Sequence, residues 1–132
     1  MLKDIEKKKE SVIENLRKNH FKVIPVDNVE LAKEEMLKLI SEDEVVGVGG
    51  SLSVRETGVI EELLNRGNKV IHHWLPGTFI DEIRDARRRA VRLSDTYLTS
   101  TNAITLEGYL VNMDTFGNRV SAMIYGPKKV II

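Results

Sequence analysis

The sequence contains no cysteine, which excludes a disulfide framework, a thiolate metal site, a self-contained iron–sulfur cluster and a cysteine nucleophile. Net charge is also missing: twenty Lys plus Arg balance twenty Asp plus Glu, so no whole-chain field points to nucleic acid or to an anionic membrane surface. Any anion site must therefore be local. Long apolar runs are absent too. The N-terminal stretch "MLKDIEKKKESVIENL" is charged throughout and lacks the apolar centre of a signal peptide. No run approaches the roughly 20 residues needed to span a bilayer. A cytoplasmic protein is expected. What is present is 132 residues at 42% hydrophobic content, enough to bury one core, so residues 1 to 132 are expected to form a single domain.

Apolar residues Leu2, Ile5, Val12, Ile13 and Leu16 recur at helical spacing and predict a helix over residues 3 to 18. "FKVIPV" alternates like a strand. Asp27 with Glu30 forms a capping-box pattern opening a helix through about Ile40. "EVVGV" suits a strand covered on both faces, and Ser53 with Glu56 is a second capping box for a helix ending near Gly67. "NKVIHHW" predicts the next strand. Pro76 and Gly77 break the chain, Thr78 can cap, and an inner stripe from Ile80 to Val91 marks a helix up to about Leu93. Then come the strand "TYLTS", a hairpin in "AITLEGYLV" turning at Glu107-Gly108, a short helix in "GNRVSAMIYG" and a final strand "KKVII". Strands alternating with helices predict an α/β domain whose largely parallel sheet is flanked by helices, with a β-hairpin in the C-terminal half.

Such sheets bind ligands beyond the carboxyl ends of their strands. Gly49-Gly50-Ser51-Leu52-Ser53, His72-His73-Trp74 and Ser100-Thr101-Asn102 all fall at such ends. The glycine turn can bring backbone amides close to a carboxylate or phosphate, with Arg55 adding a cation if it turns inward. It matches neither a dinucleotide fingerprint nor a Walker loop, and a plain strand-to-helix corner remains the alternative. Adjacent histidines on an extended strand point to opposite faces, so no metal site is expected, and one imidazole acting as a hydrogen-bonding or acid/base group competes with simple packing. "RDARRRAVR" reads as a solvated helix face, because Asp81 and Asp85 sit at helical spacing from Arg84, Arg88 and Arg89 and no aromatics interleave. A two-residue hairpin turn would pair Leu106 with Tyr109, Ala103 with Asn112 and Thr101 with Asp114. Thr101, Asn112 and Asp114 would then share a face, with Asn118 and Arg119 beginning the next segment close by. Turn and cap duty is the alternative for these polar residues.

"VGVGGSLSVRETG", "HHW" and "TYLTSTNAITLEGYLVNMDTFGNRVSAMIYGPKKVII" together resemble the LUD domain of the lactate-utilisation protein family, the LutC/YkgG-like group. The likeness runs over nearly all of the chain from Val45 onward. It implies a NagB/RpiA/CoA-transferase-like α/β fold and, for some members, a role in oxidising L-lactate to pyruvate beside iron–sulfur partner proteins. Members usually continue past "GPKKVII" with a segment often containing cysteines, so a chain stopping at Ile132 is expected to be a short member or a truncated one. In the wider fold group, "STNAI" looks like the place where some sugar-phosphate isomerases carry an acidic residue in a Gly-Ala-Asp motif. Asn102 stands there, able to orient a substrate but not to take its proton.

The resulting expectation is a LUD-type domain binding a small anionic organic molecule, without a cofactor of its own. Gly49, Gly50 and Ser51 would supply donors and Arg55 a cation. Thr101, Asn102, Asn112, Asn118 and Arg119 would be ligand-binding, and Asp114 and His73 the candidate acid/base groups. The alternatives are an isomerase or transferase acting on a sugar phosphate or acyl-CoA, and a non-catalytic regulatory or assembly subunit. The oligomeric state stays open.

Overall fold

The computed structural model describes residues 1–74 and 79–132; the expected break at Pro76 and Gly77 and the expected Thr78 cap lie outside them. The chain clusters into two compact units. One comprises residues 28–100 and 114–132, the other residues 1–27 and 101–113.

The larger unit contains α2 (Val29–Leu39), β1 (Val45–Val48), α3 (Leu52–Glu56), α4 (Val59–Asn65), β2 (Lys69–Ile71), α5 (Ile80–Leu93), β3 (Thr96–Leu98), α6 (Asn118–Ile124) and β6 (Lys129–Ile131). Its four strands form a parallel sheet in the order β2-β1-β3-β6, as the sequence predicts. Side chains alternate across that sheet. Val46, Val48 and Leu98 pack on one face with Ile40, Val54, Val59, Ile60 and Leu63. Tyr97 packs on the other with Ala90 of α5 and Ala122 of α6. Burial on both faces explains why "VVGV" reads as an unbroken apolar run. The amino ends of the strands are tied by charge: Glu44 accepts from Thr96 Oγ1 at 2.6 Å and pairs with Lys129 at 2.9 Å, and Asp95 accepts the Val45 amide at 3.1 Å. The carboxyl ends are left to glycine, hydroxyl and basic side chains.

Several local expectations are corrected. Asn28, not Asp27, caps α2, accepting the Leu31 amide at 2.9 Å. Ser51, not Ser53, caps α3. The helix expected up to Gly67 is broken into α3 and α4 by Gly58, whose φ of +71° is left-handed and cannot continue a helix. The "NKVIHHW" strand stops at Ile71, before both histidines.

The smaller unit contains α1 (Leu2–Lys18), β4 (Ala103–Ile104) and β5 (Leu110–Val111). "FKVIPV" forms no strand. The hairpin slips by one residue from the expected register: Ala103 pairs with Val111 and Ile104 with Leu110. Thr105 is bonded to Tyr109 around Leu106-Glu107-Gly108, a three-residue loop with Gly108 at φ +78°. Asn15 Nδ2 donates to the Leu106 carbonyl at 2.8 Å, and Asn19 Nδ2 donates to those of Glu107 and Gly108 at 3.1 and 3.0 Å. The loop thus closes on the C-terminal turn of α1.

Candidate anion site at the carboxyl end of the sheet

From β1 the chain crosses to β2 on one side and then returns to β3 on the other, so the strand order reverses between β1 and β3. That switch point leaves a crevice where the two strands end. Gly49 to Ser51 leave β1 there, and Thr99 and Ser100 leave β3. Ser51 Oγ donates to Ser100 Oγ at 2.9 Å and accepts the Val54 amide at 3.2 Å, so one hydroxyl both joins the two turns and caps α3. Among the described residues, the Gly50, Leu52 and Ser53 amides meet no acceptor.

Gly49 is enclosed. A Cβ there would stand 2.9 Å from Arg119 Cγ and 3.2 Å from both Thr99 Oγ1 and the Tyr97 hydroxyl. Gly50 is exposed, with the His73 ring 3.6 Å from where its Cβ would be. Trp74 gathers the neighbouring groups: its ring lies 5.8 Å from that of His72 and 4.8 Å from that of His73, and the Arg55 guanidinium sits 4.9 Å from its centroid. Arg55 does turn towards the histidine cluster, held by a cation–π contact. The two histidines thus occupy one cluster around Trp74 rather than opposite faces of a strand. Among the described residues no three metal-ligating side chains gather.

Burial pushes the His73 pKa down, and Arg87, His72 and Arg55 push it further. Burial also lowers His72, where Arg55 adds to the shift and Glu61 opposes it. Tyr97 is fully buried and its phenol is pushed up by burial, while Asn118 Nδ2 reaches its oxygen at 3.5 Å.

Asp114 opens α6. Its Oδ2 accepts the Arg119 and Val120 amides at 2.8 and 3.1 Å, and its Oδ1 accepts that of Phe116 at 3.4 Å. Burial raises this carboxyl, but the three amides and the Arg119 guanidinium outweigh it and hold it below the usual carboxylate range. The Arg119 guanidinium donates to the Ser100 carbonyl at 2.6 Å. Asp114, Arg119 and Ser100 thus form a chain of contacts leading to the Ser51 cap.

Eight of the eleven expected site residues, Gly49, Gly50, Ser51, Arg55, His73, Asp114, Asn118 and Arg119, belong to this unit. Thr101, Asn102 and Asn112 belong to the hairpin unit. Thr101 Oγ1 donates to the Ala103 and Val111 carbonyls at 3.2 and 3.1 Å, and Asn102 Oδ1 accepts the Met113 amide at 3.0 Å. Asn112 Oδ1 is buried and meets no hydrogen-bond donor among the described residues. The register pairs Ala103 with Val111 rather than with Asn112, so it is not the register from which a pairing of Thr101 with Asp114 was expected.

A family model described as the LUD domain matches residues 9–132. The chain belongs to the LUD domain family. No curated protein and no solved structure matches it. The match spans the glycine turn, the histidine cluster and the Asp114–Arg119 segment alike. No helix among the described residues of this LUD domain is long and apolar enough to cross a membrane.

Ser100 and Trp74, members of the strand-end clusters, and Tyr97, Thr99 and Arg87, which the sequence does not mark as site residues, complete the surroundings. Arg87 carried a readable signal. It falls in the stripe Ile80, Ile83, Arg87 and Ala90, at the spacing of an inner helix face.

Proposed function

We propose that this LUD domain binds a small anionic organic molecule, a carboxylate of the lactate or pyruvate kind, in the crevice between the Gly49–Ser51 and Thr99–Ser100 turns. The observation that carries the reading is the uncompensated charge around His73. On top of burial, two cations, Arg87 and Arg55, push its pKa down, and the turn beside it holds amides that meet no acceptor among the described residues. A carboxylate placed there would accept amide hydrogen bonds and offset the positive charge of the two arginines together. In this reading Gly50 admits the ligand, Arg55 and Arg119 supply positive charge, and Asn118 orients through Tyr97. His73, neutral at pH 7, is the group able to take a proton. Asp114, ionised with both oxygens engaged, sets the start of α6 and so positions Arg119.

The link to lactate utilisation follows from family membership. Oxidation of L-lactate to pyruvate releases two electrons and two protons, and a chain without cysteine offers no thiolate cluster to receive the electrons. Iron–sulfur partner proteins would be the electron acceptors. Native mass spectrometry of freshly purified protein tests the reading, followed by thermal-shift titration with L-lactate and pyruvate. A carried ligand or a concentration-dependent rise in Tm for one of these acids is expected. A protein free of anionic ligand and unmoved by either acid refutes it.

A further inference from the structure

A second feature of the sheet unit shares Arg87 and Asn118 with the surroundings of the carboxylate crevice but is centred on Arg88 and Phe116, which that reading does not use. Between α5 and α6 is a cavity of about 590 Å³ lined by Arg84, Arg87, Arg88, Val91, Phe116 and Asn118, among others. The volume falls within the range of small-molecule sites. Arg84, Arg87, Arg88 and Val91 are at i, i+3, i+4 and i+7, which stacks them on one face of α5.

The arginines of α5 are not uniformly neutralised. Asp81 pairs with Arg84 at 3.3 Å and Asp85 with Arg89 at 3.4 Å. Neither Arg87 nor Arg88 has an ion pair with a described carboxylate. Arg84 and Arg88 are also like charges four residues apart, which is unfavourable in an isolated helix. Arg87 is half-buried. Its guanidinium lies 4.1 Å from the centroid of Phe116, which fixes its plane while leaving its edge N–H groups available. Phe116 remains 64% exposed, so it also offers the cavity an aromatic wall.

We propose that this cavity is a binding site for a phosphomonoester carrying a planar apolar group. Two unpaired guanidiniums match the two charges of a phosphomonoester dianion and its bidentate geometry better than they match a monocarboxylate. Phe116 and Val91 would cover the planar part. A nucleoside monophosphate and a simple aryl phosphate share this chemistry, and they differ in whether the sugar and base are needed.

Calorimetric titration of the full chain with adenosine 5′-monophosphate and with phenyl phosphate distinguishes them, with adenosine and inorganic phosphate as controls. At least one ester is expected to bind more tightly than both controls. Arg88→Gln, at an exposed position, is expected to weaken that binding about tenfold, and Arg87→Gln/Arg88→Gln to abolish it. Gly50→Val is expected to leave it within about twofold, so this site can stand if the carboxylate reading fails. The inference is overturned if neither ester binds better than its controls, if Arg88→Gln, folded by circular dichroism, binds as the parent does, or if Gly50→Val abolishes ester binding.

Discussion

Ser51 and Ser100 meet hydroxyl to hydroxyl at 2.9 Å, joining the turn after β1 to the turn after β3. The contact sits where the strand order reverses, and the same Ser51 oxygen caps α3. Rigidity of the crevice and stability of the sheet unit are therefore coupled through one side chain. Ser51→Ala is expected to cost about 1 to 2 kcal/mol, as loss of a buried cap and hydrogen bond does, and Ser100→Ala less. Urea melts of both single variants and the double variant should show a non-additive remainder. Strict additivity would mean that the two hydroxyls do not act on each other.

Asp114 is expected to behave first as a helix cap. Asp114→Ala removes all three accepted amides and should lower stability by about 1 to 2 kcal/mol in a denaturant melt. Asp114→Asn retains an acceptor oxygen and should lose less. Because the folded carboxyl lies below its usual range, the stability it contributes is present above the ordinary aspartate pKa and is lost as pH falls through the folded value. The parent should therefore lose more stability than Asp114→Asn on going to strongly acidic pH. Identical acid melts for the two proteins would contradict this role.

The histidine cluster titrates in a different window. Both folded pKa values are depressed, so the unfolded chain takes up protons first as pH falls below about 6.5. Folded stability should drop over that interval and level off below the folded values. His72→Asn/His73→Asn should flatten the slope between neutral and mildly acidic pH. Bound carboxylate should raise the His73 pKa, which proton-detected titration of the imidazole can follow, and its affinity should improve as pH falls. A His73 pKa above the ordinary value in the free protein would contradict the uncompensated charge on which the site reading rests.

Gly108 tests the hairpin register in the smaller unit. A side chain there would adopt an unfavourable φ of +78° and place its Cβ 2.6 Å from the Asn15 carbonyl carbon and the Leu16 nitrogen. Gly108→Ala should therefore cost at least about 2 kcal/mol, since strain and a backbone clash add. Hydrogen exchange should locate the loosening in Thr101–Met113 and the end of α1. Protection unchanged in both segments would refute that packing.

Much of this was legible in the sequence. "VVGV" announced a doubly covered strand, and the Gly49–Ser51 and His72–Trp74 clusters lay at strand ends as parallel topology requires. Where the reading slipped, the deciding geometry was nonlocal or a single residue wide. Glu107-Gly108 fits a two-residue turn as well as a three-residue loop, and only the closure of Asn15 and Asn19 onto the loop separates them. Ser51 and Ser53 are equally good caps on paper, but the first also reaches Ser100, forty-nine residues away. "FKVIPV" alternates like a strand but has no strand partner among the described residues, and a strand without one forms no ladder. Arg87 was obscured by its neighbours, because a run of arginines reads as surface until each is matched to its own carboxylate.

Calorimetric titration of L-lactate and pyruvate into the parent chain and Gly50→Val, paired with urea unfolding of both, tests the central claim most directly. Among the described residues, a Cβ at Gly50 meets the His73 ring alone, at ordinary contact distance, so the variant is expected to unfold within about 1 kcal/mol of the parent. The account predicts stoichiometric binding of one acid by the parent, weakened by about tenfold or more in Gly50→Val. No binding by the parent, or equal binding by both proteins, would contradict it.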